Sequence, residues 1–380
     1  MSYADTLTQL RANGNFRTIP KSGERESVVD FSQNDYLGLA RREDLQRAFF
    51  ANEANLRLGM SASASRLLAS DQEEFEKLES LLETLYGNRR ALLFNSGYHA
   101  NTGLISALAA ENGTLIVADK LVHASIIDGI TLSKAPFTRF LHNDLMRLET
   151  ILKREQNKYQ CIWVVVESVY SMDGDRAPLA ELIELKQRYP NVRLYIDEAH
   201  AFGVLGEKGL GLCNDLQNSD EVDVVVGTFG KAAASAGAFA IMNNTLRDYA
   251  VNRARSFIFS TALPPITCAW TRFMVGNITT MDKERELLGR YSRQLSRALG
   301  LPDARYIAPV IIGSARGAIE ASQRLLEQGV KVLPIRTPTV PPGTERLRIS
   351  LSAANTPKQI AMLIDALDEY SNSCPQLRMQ

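Results

Sequence analysis

Val192-Arg-Leu-Tyr-Ile-Asp-Glu-Ala-His200 sets a short apolar run directly before a carboxylate and an imidazole. The run is too short for a helix and scarcely alternates polar with apolar, the pattern of a strand covered on both faces. Runs of the same kind flank it: Ala91-Leu-Leu-Phe94, Thr114-Leu-Ile-Val-Ala118 and Ile162-Trp-Val-Val-Val166 before, and Val222-Asp-Val-Val-Val226 after. Amphipathic stretches separate them, so the sequence predicts an α/β fold with a mostly parallel central sheet. One such stretch carries Leu78, Leu81, Leu82 and Leu85, opens on a capping box of Ser70 with Glu73, and stops at Gly87. Beyond Pro264-Pro265 come a long helical stretch, two helix-strand units ending in Arg346-Leu-Arg-Ile-Ser-Leu351, and a last amphipathic helix from about Thr356 to Tyr370. The expected division is an N-terminal segment over 1–45, a large domain over 46–275 and a small C-terminal α+β domain over 276–380.

Charge and cysteine usage exclude several classes. The 380 residues hold 43 Lys+Arg against 43 Asp+Glu with no basic stripe, so no nucleic-acid partner is expected. Cys161, Cys213, Cys268 and Cys374 are far apart with no CxxC pair, which argues against a disulfide framework or a thiolate zinc site, and no metal is expected. The longest apolar runs reach about a third of the ~20 residues that cross a bilayer, so no membrane partner is expected. Residues 1–16 lack the basic and apolar regions of a secretory leader and read as the start of a mature cytoplasmic protein.

In open parallel sheets ligands sit beyond the carboxyl ends of the strands. After Phe94 comes Ser96-Gly97-Tyr98 at a strand-to-helix junction, where backbone N–H groups and a hydroxyl suit a phosphate; the plain alternative is an ordinary N-cap. Asp197 and His200 follow the central run, with a capping Asp and a surface His as the alternative. After Val226 comes Gly227-Thr-Phe-Gly-Lys231-Ala-Ala-Ala-Ser-Ala-Gly237, a lysine set among tiny residues. Lodged there, a lysine is desolvated, which favours the neutral nucleophilic amine. A nucleotide-binding P-loop fails, because Ala232 stands where Ser or Thr is required and Val225 where the first Gly belongs.

Together these residues, in this order, resemble the fold-type I enzymes that use pyridoxal phosphate. Phe31-Ser-Gln-Asn-Asp-Tyr-Leu-Gly-Leu39, Leu121-Val-His-Ala-Ser125, Ser171-Met-Asp-Gly-Asp175, Asp197-Glu-Ala-His200, Thr228-Phe-Gly-Lys231 and Arg346 to Leu351 are similar to the strings of the α-oxoamine synthases. Those enzymes condense an amino acid with an acyl thioester and release carbon dioxide. Ile335-Arg-Thr-Pro-Thr-Val-Pro-Pro-Gly343 followed by Arg346-Leu-Arg348 is most similar to the member that joins L-alanine to a pimeloyl thioester, on coenzyme A or a carrier protein, in biotin synthesis. The resemblance implies a homodimer with Lys231 as the Schiff-base lysine and Asp197 beneath the pyridine nitrogen. It implies His123 against the ring, Ser171 and His200 on its phenolic-oxygen side, and Ser96, Gly97, Tyr98 and Thr228 around the phosphate. Arg348 with Asn34 would take the amino-acid carboxylate, and Arg17 and Thr339 the acyl substrate. Taken singly, His123 is a helix-start histidine and Arg348 a solvent-facing strand residue; His99 and His142 read as structural. Ser61-Ala-Ser-Ala-Ser65, Phe75 with Glu76, Ala234, Ala236 and Asn355 depart from the family's strings and bear on acyl-chain choice. The alternatives are a relative using glycine or serine or another thioester, such as a 2-amino-3-ketobutyrate ligase, and a catalytically silent binding relative.

Overall fold

The computed structural model describes residues 2–19, 28–87 and 89–373, and Cys374 lies outside them. Strands Arg90–Phe94, Ala238–Met242, Val224–Thr228, Val192–Asp197, Cys161–Glu167, Thr114–Asp119 and Phe137–Phe140 form one seven-stranded sheet in that spatial order. All neighbours run parallel except Ala238–Met242, which is antiparallel to both of its partners. Five of these strands coincide with the apolar runs of the sequence. Ala238–Met242 is fully buried but begins in the alanine-rich tail of the lysine loop, and Phe137–Phe140 is a largely exposed edge.

The capping box at Ser70 does not form. The helix begins at Glu73, and its N-cap Gln72 makes no side-chain cap bond. The Gln72 amide turns back to the carbonyls of Arg66 (3.1 Å) and Ala69, and Ser70 stands two residues ahead of the cap position. The expected stop holds, with the helix ending at Leu85 and Gly87 at φ +69°.

The chain forms two compact units. The larger comprises Leu39–Tyr170 and Arg176–Arg285 and holds the sheet. Its core joins Leu92, Phe94, Leu104, Trp163, Tyr195 and Val226. Here helices Gly97–Leu108 and Ala124–Ser133 approach closely at Gly129, where an added Cβ would stand 2.8 Å from the Asn101 carbonyl oxygen. The smaller unit comprises residues up to Gly38, Ser171–Asp175 and the chain from Glu286. In it, Arg346–Ser350 runs antiparallel between Leu333–Ile335 and Ile307–Ile311. The N-terminal segment joins this sheet by Ser350 N donating to Phe31 O and Ala353 N to Tyr36 O, both at 2.8 Å.

Candidate active site

Asp197 ends its strand opposite Val226, so the register sets it beside the strand that leads to Thr228 and Lys231. It is buried, and its two oxygens accept from the Ala199 N–H (2.8 Å) and Asn101 Nδ2 (2.7 Å). Both donors are neutral, so the carboxylate's charge is left for a cation. His200, 5% exposed, is no surface histidine: its Nε2 lies 2.9 Å from Lys231 Nζ. Behind the lysine, Ala232 and Ala233 are fully buried. A Cβ at Gly203 would stand 2.6 Å from that of Ala232, so small residues on both sides let the two loops close. Ala234 adopts φ +47°, a left-handed conformation that costs an alanine about 1 kcal/mol. It is held there by Trp270 Nε1 donating to its carbonyl (3.1 Å) and by Ser235 N donating to Phe229 O (3.0 Å).

Ser96 is the N-cap of helix Gly97–Leu108, its Oγ accepting from His99 N (3.2 Å) and lying 2.9 Å from His99 Nδ1. The N-cap alternative is therefore correct as local structure. It leaves the Gly97 and Tyr98 amides at a first turn, where helix N–H groups have no carbonyl of their own helix to bond. An added Cβ at Gly97 would lie 3.8 Å from Thr228 Cβ, so the junction sits against the threonine. The Tyr98 phenol turns to Asp128, so the residue can offer the site its amide rather than its ring.

His123 caps helix Ala124–Ser133, and its Nδ1 accepts from Ser125 N (3.2 Å) and lies 2.8 Å from Ser125 Oγ. Burial holds its pKa below the ordinary histidine value, opposed by the charge of Asp197. Asn101 Nδ2 reaches both Asp197 and Ser125 Oγ (2.9 Å), while Tyr195 donates its O–H to Asn101 Oδ1 (2.8 Å). Sequence reasoning missed Asn101, Ser125 as a partner, and Tyr195. The one signal for Asn101 was a polar side chain amid the buried Ala100, Leu104 and Leu108 of its helix. Glu198 was also passed over. It is fully buried, accepts from the Leu212 (2.7 Å) and Cys213 (3.1 Å) amides, and is pushed up to about 7 by burial.

In the smaller unit, Arg348 is buried rather than solvent-facing. Its Nε donates to Ser171 O (2.6 Å), Nη1 to Ser350 Oγ (2.7 Å) and Nη2 to Asn34 Oδ1 (3.1 Å). All three acceptors are neutral, which leaves the guanidinium charge for an anion. Tyr36, whose phenol burial pushes up to about 12, donates to the same Asn34 oxygen (3.1 Å). Arg17 donates to Thr339 Oγ1 (3.0 Å), bringing that expected pair together. The residues that depart from the family's strings have local work: Phe75 packs under the Arg66 guanidinium at 4.5 Å, and Asn355 Oδ1 accepts from Ser352 N (2.8 Å). His142 bonds Asp119 (3.0 Å) and packs edge-on to Tyr170, as a structural residue does.

Comparison with known proteins gives the family and the fold. An 8-amino-7-oxononanoate synthase of Haemophilus ducreyi is 44% identical over 97% of this chain and 100% of its own. The crystal structure of 8-amino-7-oxononanoate synthase from Francisella tularensis superposes with a TM-score of 0.76 at 28% identity, covering 92% of this chain and 99% of that one. A serine palmitoyltransferase variant from S. paucimobilis, with bound PLP–myriocin aldimine, gives 0.88 at 28% identity over 97% and 96%. With residues 26–367 matching aminotransferase class I and II, the chain belongs to that family and has the fold-type I architecture of its pyridoxal-phosphate transferases.

Proposed function

We propose that this protein is a pyridoxal-phosphate-dependent acyltransferase that condenses L-alanine with a pimeloyl thioester, releasing carbon dioxide, to form 8-amino-7-oxononanoate for biotin synthesis. The observation that carries the reading is Asp197, a buried carboxylate whose donors among the described residues are neutral, one strand away from the Lys231–His200 pair. The residues fit the cofactor: a carboxylate awaiting a cation, a helix first turn beside a threonine hydroxyl, and an amine backed by alanines. When bound, pyridoxal phosphate supplies an electron sink for charge developing at the amino-acid α-carbon.

The remaining work falls to the chain. The Gly97 and Tyr98 amides, the capping Ser96 and Thr228 hold the phosphate, and Asp197 balances the charge of the ring nitrogen. His123, fixed through Nδ1, would be the residue that packs on the ring. Lys231 Nζ takes the α-proton and returns it, and His200, 2.9 Å away, is within reach to exchange a proton with that amine. Ser171 also serves the cofactor side. Arg348 with Asn34 takes the amino-acid carboxylate, and Arg17 and Thr339 the acyl substrate. A homodimer and a cytoplasmic setting belong to the same proposal and rest on the family resemblance; no described helix is long and apolar enough to cross a membrane.

The serine palmitoyltransferase likeness favours one second reading, a synthase taking serine or glycine with another acyl thioester. Carbon dioxide release measured with alanine, glycine and serine against a panel of acyl thioesters separates them. Turnover with alanine and a pimeloyl thioester supports the first reading; turnover only with another pair replaces it, and none with any pair removes both.

A further inference from the structure

We propose that Asn101 is a positioning residue of this site, tying the Asp197 carboxylate to the Ser125–His123 pair through one amide whose direction Tyr195 fixes. The inference rests on the cofactor reading above and concerns groups that do not themselves need to touch the cofactor.

The amide is fully committed. An ionised carboxylate only accepts, so the Nδ2 side of Asn101 must face Asp197 (2.7 Å), and its second hydrogen goes to Ser125 Oγ (2.9 Å). Oδ1 then faces Tyr195, whose hydroxyl must donate (2.8 Å). Asn101 is 1% exposed and Ser125 fully buried, so no solvent competes for these bonds. Having accepted from Asn101, Ser125 Oγ has its own hydrogen to give His123 Nδ1 (2.8 Å), which also accepts from Ser125 N (3.2 Å). Nδ1 is therefore an acceptor, and the neutral ring carries its proton on Nε2. One amide thus fixes the orientation of the carboxylate, while the same network fixes the tautomer of the histidine.

Three elements bring the amide into register. Tyr195 and Asp197 are two residues apart on one strand and share a face. Helix Gly97–Leu108 carries Asn101, and helix Ala124–Ser133 carries Ser125. The two helices come close enough only because residue 129 has no Cβ to meet the Asn101 carbonyl. The charged groups facing the relay are Asp197 and Lys231, with Asp128 acting on His123.

Asn101→Leu keeps the branching and approximate volume but removes every polar atom. Tyr195→Phe removes only the hydroxyl that orients the amide. Both are compared with the wild type, as purified full-length protein, for pyridoxal-phosphate affinity, for bound-cofactor absorbance against pH, and for thermal unfolding. Asn101→Leu is expected to weaken cofactor binding by about tenfold or more, the scale of a lost bond to a charged group. It should also shift the pH profile of the bound-cofactor absorbance, because the carboxylate has lost its buried hydrogen-bond partner. Tyr195→Phe should move both in the same direction by less, and it carries the test if the leucine variant does not fold. A change in unfolding temperature with an unmoved pH profile in a folded variant overturns the inference and leaves Asn101 a packing residue. A wild type that binds no pyridoxal phosphate overturns the cofactor reading itself, and this inference with it.

Discussion

Gly129→Ala sets helix propensity against packing, and the structure decides which prevails. Gly129 lies inside helix Ala124–Ser133, where alanine is favoured over glycine by about 1 kcal/mol. Its Cβ would stand 2.8 Å from the Asn101 carbonyl oxygen, 3.0 Å from Ile105 Cβ and 3.3 Å from Thr102 Cα. Two of these are backbone atoms of a helix buried along most of its length, so they cannot swing aside as the tip of a long side chain would. Overpacking costs about 1–3 kcal/mol, and a contact this short against backbone falls at the upper end. After the propensity gain, the net loss is about 1–2 kcal/mol. Gly276 in helix Pro265–Ile278 is the control, with nothing within 4 Å of an added Cβ. Gly276→Ala should show the propensity gain alone, about 1 kcal/mol. Urea unfolding followed by far-UV circular dichroism reads both, and shifts of opposite sign are expected. A Gly129→Ala protein stabilised like Gly276→Ala would refute the close helix contact and, with it, the placement of Asn101 against Ser125.

Glu198 makes stability fall as pH rises. Its folded carboxyl is pushed from the ordinary 4.5 up to about 7, so the native chain holds a proton that the unfolded chain has released between those values. That stabilisation is complete below the unfolded value and lost through neutrality, about 3 kcal/mol at most. Glu198→Gln should flatten the loss, and an unchanged slope in denaturant midpoints between pH 5 and 8 would contradict it. Arg348→Lys keeps the charge but loses the fork that bonds Ser171, Ser350 and Asn34. It should raise the KM for the amino acid about tenfold or more while cofactor affinity holds, and an unaltered KM would remove Arg348 from the carboxylate's site.

The five strands legible in the sequence are those whose apolar runs are short and nearly unbroken. Ala238–Met242 escaped because its alanines merge with the lysine loop, and Phe137–Phe140 because an exposed edge carries little apolar signal. Lys231, Asp197, His200 and the Ser96–Gly97 junction were legible for a topological reason, since each lies at or within a few residues of the carboxyl end of a strand, where the ligands of such a sheet sit. Asn101, Ser125 and Tyr195 have no such marker. Each is unremarkable in its own element, and only the fold brings positions 101, 125 and 195 to one amide. Arg348 and His123 show the limit in the other direction: the family strings singled them out, while the bonds of Arg348 come from Ser171 and Asn34, distant in sequence, and the tautomer of His123 from Ser125 next door, itself held by Asn101.

Everything proposed for this site turns on Lys231 as the amine that engages the cofactor. Purified protein loaded with pyridoxal phosphate, reduced with borohydride, digested and mapped by mass tests it directly. The expected result is a yellow protein whose visible band disappears on reduction and whose pyridoxyl label lies on Lys231. A protein with no visible band, or a label on any other lysine, would contradict it.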